Sequence, residues 1–212
     1  MRPLLILRPE PGASATAMRA EAMGLEVRRH PLFAAEAVGW TLPEGAFDAL
    51  LVTSANAVRL AGTWPKLPVH AVGEASAAAA REAGLEVSTV GEGGVDDLLD
   101  RLPSDLRLLH LAGEERTLPA TSRQHITSVT VYRIVALPLP DASLLQGAVV
   151  LIHSPAAGRR LADVAVARER VRVAAISPAA AAACGPGWER CEAAAAPSDA
   201  ALLFLAAKLC EE

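Results

Sequence analysis

Short apolar runs recur along the chain at Leu4–Leu7, Ala49–Val52, Val69–Val72, Leu106–Leu111, Ala148–Ile152 and Val171–Ile176. Each is too short for a helix, and most end in Ser, Gly or Pro, so the pattern predicts buried strands. Alanine-rich or amphipathic stretches follow nearly all of them: Ala13–Met23, Ala55–Ala61, Ser76–Ala83, Pro155–Val164 and Ala179–Cys184. Gly24 and Gly84 stand where a glycine closes a helix, and Leu-Glu-Val follows each as the next strand. Strand, turn and helix repeating in this way predict an α/β fold of parallel sheets with helices on both faces.

The pattern also repeats at a spacing of roughly one hundred residues. Leu50-Leu51-Val52-Thr53-Ser54-Ala55-Asn56-Ala57 echoes Val150-Leu151-Ile152-His153-Ser154-Pro155-Ala156-Ala157. Val72-Gly73-Glu74-Ala75-Ser76 echoes Ile176-Ser177-Pro178-Ala179-Ala180, and Gly94-Val95-Asp96-Asp97-Leu98 echoes Pro197-Ser198-Asp199-Ala200-Ala201. The opening strands around Leu5 and Val27 echo those around Leu108 and Val129. A period this long is not a solenoid repeat; it fits two similar α/β domains. Extended stretches at 28–38, with Pro31, and 129–140, with Pro138 and Pro140, read as connectors. If both cross, residues 1–35 and 139–212 form one discontinuous domain, 39–130 form the other, and the paired linkers act as a hinge.

Composition narrows the function. The chain has 212 residues, 52% hydrophobic and 21% charged, which is globular rather than disordered. Its formal charge of −4 argues against an electrostatic nucleic-acid partner. No run approaches the ~18 apolar residues of a membrane span, and the apolar run in Met1–Arg8 is too short for a signal peptide. Cys184, Cys191 and Cys210 are an odd set with no close pairing motif, which suggests reduced thiols in the cytoplasm. The five histidines are scattered, with no helical i, i+4 pair and no zinc spacing, so no metal site is expected.

In an open parallel sheet, ligands bind beyond the carboxyl ends of the strands, among helix N-termini with unpaired N–H groups. Here those turns contain Arg8-Pro9, Thr53-Ser54, Gly73-Glu74-Ala75-Ser76, Gly113-Glu114-Glu115-Arg116, His153-Ser154-Pro155 and Ser177-Pro178-Ala179-Ala180. Hydroxyls, glycine and proline suit helix caps. They suit equally a ligand with several carboxylates, held by many backbone donors. No G-x-G-x-x-G, Walker A or G-x-S-x-G motif is present.

Five segments in order resemble the uroporphyrinogen-III synthase family: Leu5-Ile6-Leu7-Arg8-Pro9, Ala49 to Val58 with Thr53-Ser54-Ala55-Asn56, Val69-His70-Ala71-Val72-Gly73, Ser128-Val129-Thr130-Val131-Tyr132 and Pro197-Ser198-Asp199-Ala200-Ala201-Leu202. The resemblance implies two flavodoxin-like α/β domains joined by a two-strand connector. It also implies a monomeric cytoplasmic enzyme of haem and related tetrapyrrole biosynthesis. Its substrate would be hydroxymethylbilane, a linear tetrapyrrole with eight carboxylates. That chain is closed with loss of water and inversion of the last pyrrole ring, through an azafulvene and a spiro intermediate. Such catalysis rests on positioning and electrostatics, and the resemblance implies that it needs no cofactor or metal. The resemblance implies substrate contacts at Arg8, Ser54, Gly73, Ser76, Gly113, Arg116, Ser154, Ala179 and Ala180. It places Tyr132, the single tyrosine, where a phenol can donate to the departing hydroxyl. Packing of Tyr132 in the connector and solvation of Arg116 are the competing readings.

The chain departs from the family pattern where Leu7 replaces a common Thr, Ser177 a Gly, and Ala180 a hydroxyl residue. The last two remove one side-chain donor and are expected to leave the N–H groups of Ala179 and Ala180 available. Pro119 is expected to shorten the helix after Gly113. The missing hydroxyl at 180 favours an alternative: a non-catalytic α/β module that binds a tetrapyrrole or another small anion.

Overall fold

The structure, a computed structural model, describes residues 1–116 and 122–211. Pro119 lies outside them. In chain order the elements are β1 (Leu4–Ile6), α1 (Gly12–Ala22), β2 (Val27–Arg29), β3 (Phe33–Ala37), β4 (Ala49–Val52), α2 (Ala55–Leu60), β5 (Val69–Ala71), α3 (Glu74–Glu82), β6 (Val87–Val90) and α4 (Val95–Asp100). There follow β7 (Arg107–Gly113), β8 (His125–Ala136), β9 (Val149–Ile152), α5 (Pro155–Val164), β10 (Arg172–Ala175), α6 (Pro178–Ala183), β11 (Arg190–Ala193) and α7 (Asp199–Glu211). The chain divides into two compact units, Met1–Ala34 with Ala136–Glu212, and Ala35–Val135.

The first unit holds a five-stranded parallel sheet in the order β2-β1-β9-β10-β11. Side chains alternate across a strand, so its continuous apolar runs feed two cores. Leu4, Ile6, Val149 and Leu151 pack with Ala13, Ala17, Leu202, Leu203 and Ala206 of α1 and α7. Leu5, Leu7, Val150 and Ile152 face the other way, with Ala157, Leu161, Ala180 and Cys184 of α5 and α6. The helices lie close because their facing residues are small. A Cβ built on Gly158 of α5 would stand 2.8 Å from the Ala180 carbonyl oxygen of α6.

The second unit holds a six-stranded sheet in the order β3-β8-β7-β4-β5-β6, and its β8-to-β6 portion is wholly parallel. Leu50, Val52, Leu109, Leu111 and Val131 pack with α2 and α3 on one face. Ala49, Leu51 and Leu108 pack with Leu98 and Leu99 of α4 on the other. Strand β3 adds an edge through the Val38 N–H, which donates to the Val131 carbonyl at 2.9 Å.

The internal echo is realised strand for strand. Pairing β1 with β7, β2 with β8, β9 with β4, β10 with β5 and β11 with β6 lays the order β2-β1-β9-β10-β11 directly on β8-β7-β4-β5-β6. The two sheets share one layout, entered by the chain at different strands. Gly24 and Gly84 close helices α1 and α3 with φ of 80° and 76°, where a side chain would be strained.

The Gly158 contact yields a test. Gly158→Ala drives a methyl against backbone, and overpacking of this kind costs about 1–3 kcal/mol. Urea unfolding is expected to show that loss, with the unfolding slope unchanged.

Candidate functional site

Each sheet has one place where the chain reverses its direction of winding. In the second unit it lies between β4 and β7: the chain steps from β4 to β5 and β6 on one side, then returns to β7 and β8 on the other. Connections diverge there and leave the carboxyl ends of the strands open. A pocket of about 290 Å³ occupies that place, lined by Thr53, Ser54, Val72, Val95, Gly113, Glu115, Arg116 and Tyr132.

Tyr132 reaches the pocket because Gly113 makes room for it. The pairing of β7 with β8 shifts register between Ala112 and Gly113, which sets Gly113 opposite Tyr132. A Cβ on Gly113 would lie 2.7 Å from Cζ of the ring. The phenol O–H crosses the glycine and donates to Ser54 Oγ at 3.1 Å. Ser54 caps α2 and accepts from the Asn56 N–H at 3.2 Å as well. The rest of the ring packs with the apolar core, and Tyr132 is 9% exposed.

Arg116 folds back over the end of β7. Its Nη1 donates to the Gly113 carbonyl at 3.3 Å and to Thr130 Oγ1 at 3.1 Å. Both acceptors are neutral. Gly73 follows Val72 but is not itself part of the lining, and no atom lies within 4 Å of where its side chain would be. Ser76 is not brought to the lining: it is buried in α3, and its N–H donates to the Gly73 carbonyl at 3.1 Å.

Sequence reasoning passed over His110, which stands in the middle of β7 among leucines and is 1% exposed. Its Nε2 lies 3.0 Å from Thr53 Oγ1 and its Nδ1 lies 3.1 Å from Ser128 Oγ. Burial, and then the charge of Arg116, push its pKa down to about 4, so the ring is neutral at pH 7. The available signal was a single polar residue inside an otherwise apolar buried strand.

The first unit reverses its winding between β1 and β9. Arg8 and Ser154 follow these two strands. Arg8 lies across Gly12, and its Nη1 meets Asp199 Oδ1 at 3.4 Å and Thr16 Oγ1 at 3.3 Å. Arg19 binds the other Asp199 oxygen, with Nη2 at 2.7 Å, while His153 Nε2 lies 3.0 Å from Oδ1. Burial works to raise the Asp199 pKa, but hydrogen bonds from Arg19, His153 and Thr16 outweigh it and hold the carboxyl below its ordinary value. Burial, with Arg8 next, lowers His153 despite the pull of Asp199. The imidazole is therefore neutral at pH 7, and its Nε2–H donates to the carboxylate. Ser154 caps α5 by accepting from the Ala157 N–H at 3.2 Å.

One expectation is corrected here. The Ala180 N–H is not left open: it donates to Ser177 Oγ at 3.3 Å, and Ala180 is fully buried. Ser177 caps α6 by accepting from the N–H expected to be free. Ala179 stays exposed in the first turn of that helix. Among the described residues no cluster of three or more His, Cys, Asp or Glu is placed to hold a metal. No described helix is long and apolar enough to cross a membrane.

Comparison with known proteins adds to this geometry. Residues 14–203 match the family described as Uroporphyrinogen-III synthase HemD. A search of the curated proteins finds no match. The crystal structure of uroporphyrinogen-III synthetase from Helicobacter pylori 26695 aligns over 99% of this chain and 100% of that one, at 18% identity and a TM-score of 0.68. That likeness is one of fold. A mutant uroporphyrinogen III synthase from the extremely thermophilic bacterium Thermus thermophilus aligns over 99% and 100% at 21% identity, with a TM-score of 0.48. With the family match spanning nearly its whole length, the chain belongs to the uroporphyrinogen-III synthase family, and its reaction is the cyclisation of hydroxymethylbilane in tetrapyrrole biosynthesis.

Proposed function

We propose that the pocket at the carboxyl ends of β4 and β7 is where this chain assists departure of the substrate hydroxyl, with Tyr132 as the proton donor. The observation that carries this reading is the Tyr132 O–H, held across Gly113 and aimed at Ser54 from a mostly buried ring. When the terminal hydroxymethyl group enters, the phenol turns its proton from Ser54 to the departing oxygen, which leaves as water. The azafulvene that forms is attacked by the substituted carbon of the last ring to give the spiro intermediate; the older bond at that carbon then breaks, and the ring rejoins the chain through its free carbon, inverted. The protein's task is to hold that carbon nearer than the free one. A proton released as the last pyrrole ring regains its aromaticity restores the phenol.

Arg116 supports this role because its partners among the described residues are neutral, so its charge is open to a substrate carboxylate. Ser54 lines the same pocket, whereas Gly73 and Ser76 follow its Val72 wall at the start of α3 and are assigned to substrate contact from there. In the first unit Arg8, Ser154 and Ala179 stand at the equivalent strand ends and are assigned to carboxylate binding. Arg8 already shares Asp199 with Arg19, which makes it the weaker of the two arginine contacts. Ala180 contributes through its place under the Ser177 cap. The free thiols of Cys184, Cys191 and Cys210 accord with a cytoplasmic chain, and we assign it as a monomer, which sedimentation tests.

Freshly made hydroxymethylbilane, followed by oxidation and separation of the porphyrins, tests the activity. Isomer III is expected, whereas isomer I alone at the spontaneous rate would leave a tetrapyrrole-binding module. Tyr132→Phe is expected to lower kcat by roughly tenfold, the worth of about 1.4 kcal/mol, with KM within about twofold. Unchanged kinetics would return Tyr132 to a packing role. Gly113→Ala displaces the ring without removing the phenol and is expected to lower kcat in the same direction.

A further inference from the structure

The Tyr132 pocket has a third hydroxyl on its wall, besides those of Tyr132 and Ser54, and a buried side chain meets it. Thr53 lines the pocket, and its Oγ1 lies 3.0 Å from His110 Nε2. Behind the imidazole, Ser128 Oγ lies 3.1 Å from Nδ1. The three residues belong to adjacent strands or their ends, β4, β7 and β8, and the register sets His110 opposite Ser128. A neutral imidazole has one N–H, so the row Ser128–His110–Thr53 has two consistent arrangements. If Nδ1 holds the proton, Nε2 takes the Thr53 proton, and Thr53 shows the pocket only lone pairs. If Nε2 holds it, Thr53 Oγ1 accepts from the ring, and the Thr53 O–H is released toward the pocket.

We propose that His110 is a positioning residue whose Nε2–H tautomer turns the Thr53 O–H into the pocket as a donor. Ser128 fixes that tautomer by donating to Nδ1. All three donors then point the same way, ending at the space beside Arg116. A pocket that carries a guanidinium recruits carboxylates and departing oxygens, and these call for donors on its walls. A hydroxyl offering lone pairs there would repel the carboxylate or departing oxygen that the arginine attracts. Burial of His110 keeps the ring neutral, so the row does not alternate between charge states near pH 7. Thr53 is thereby the second donor of the site, one whose direction is set from inside the sheet, whereas the Tyr132 proton rests on Ser54 until substrate arrives. The inference deepens the pocket reading and rests on it for its effect on turnover.

The test separates the two ring nitrogens. An Asn amide falls near Nδ1 of a histidine and a Gln amide near Nε2. His110→Gln keeps the bond to Thr53 and is expected to hold kcat within about twofold of the parent chain. His110→Asn keeps only the bond to Ser128 and is expected to lower kcat about tenfold with KM little changed. Thr53→Val should match His110→Asn, and the double variant should be no worse than either single one. On the unliganded chain, nitrogen-15 spectra of the imidazole should show a protonated Nε2 and an unprotonated Nδ1. The reverse tautomer overturns the proposal, as does a His110→Gln variant that falls as far as His110→Asn. Should a variant fail to fold, the tautomer in the parent chain decides alone. If Tyr132→Phe turns over normally while Nε2 is protonated, the pocket reading fails and the orientation of Thr53 stands.

Discussion

A parallel sheet covered on both faces has few places where polar side chains can gather, and the change in winding direction creates one in each unit. Elsewhere, most strands of the two parallel sheets hand the chain to a helix that packs back over the sheet and closes it off. Between β4 and β7, and between β1 and β9, the departing connections go opposite ways and the strand ends stay open. The second unit gathers Thr53, Ser54, Gly113 and Tyr132 at its opening, and the first gathers Arg8 and His153. These groups come from distant parts of the chain, and strand order alone makes them neighbours.

The shared layout of the two sheets explains why similar turns serve different ends. Ser54 and Ser154 occupy equivalent caps after equivalent strands, β4 and β9. Around the first, a pocket carries one arginine with neutral partners. Around the second, Asp199 draws in Arg8, Arg19 and His153 and satisfies them internally. A single carboxylate at the start of α7 thus separates an opening whose arginines already share an acidic partner from one whose arginine has only neutral hydrogen-bond partners among the described residues.

Much of this architecture is legible in the residues. Strands β4 and β9 and helices α2 and α5 lie within a residue or so of their apolar patterns, because a strand buried on both faces tolerates little else. The glycines after α1 and α3 mark helix ends that an alanine-rich composition, nearly without an amphipathic pattern, leaves indistinct. Strand β11 escapes the pattern because it is an edge: Arg-Cys-Glu-Ala, half open to water, has no apolar run. The site was less legible. The Thr53-Ser54 turn and Tyr132 stand out as motifs, but the register shift that sets the tyrosine over Gly113 is a property of strand pairing and leaves no local mark. His110 was visible only as an anomaly among leucines, since its partners lie 57 and 18 residues away. Ala180 misled for the opposite reason. A missing hydroxyl is plain in the sequence, whereas the cap that Ser177 supplies depends on its extended backbone, with φ −153° and ψ 161°.

The chain has one tyrosine, and it stands in the pocket. Fluorotyrosine incorporation would therefore place a single fluorine nucleus at that point and leave the rest of the molecule silent. One resonance would then report occupancy, exchange and ring rotation without the assignment work that a two-unit chain ordinarily demands. The scarcity of aromatic residues, only 3% of the sequence, makes the pocket separately observable by spectroscopy.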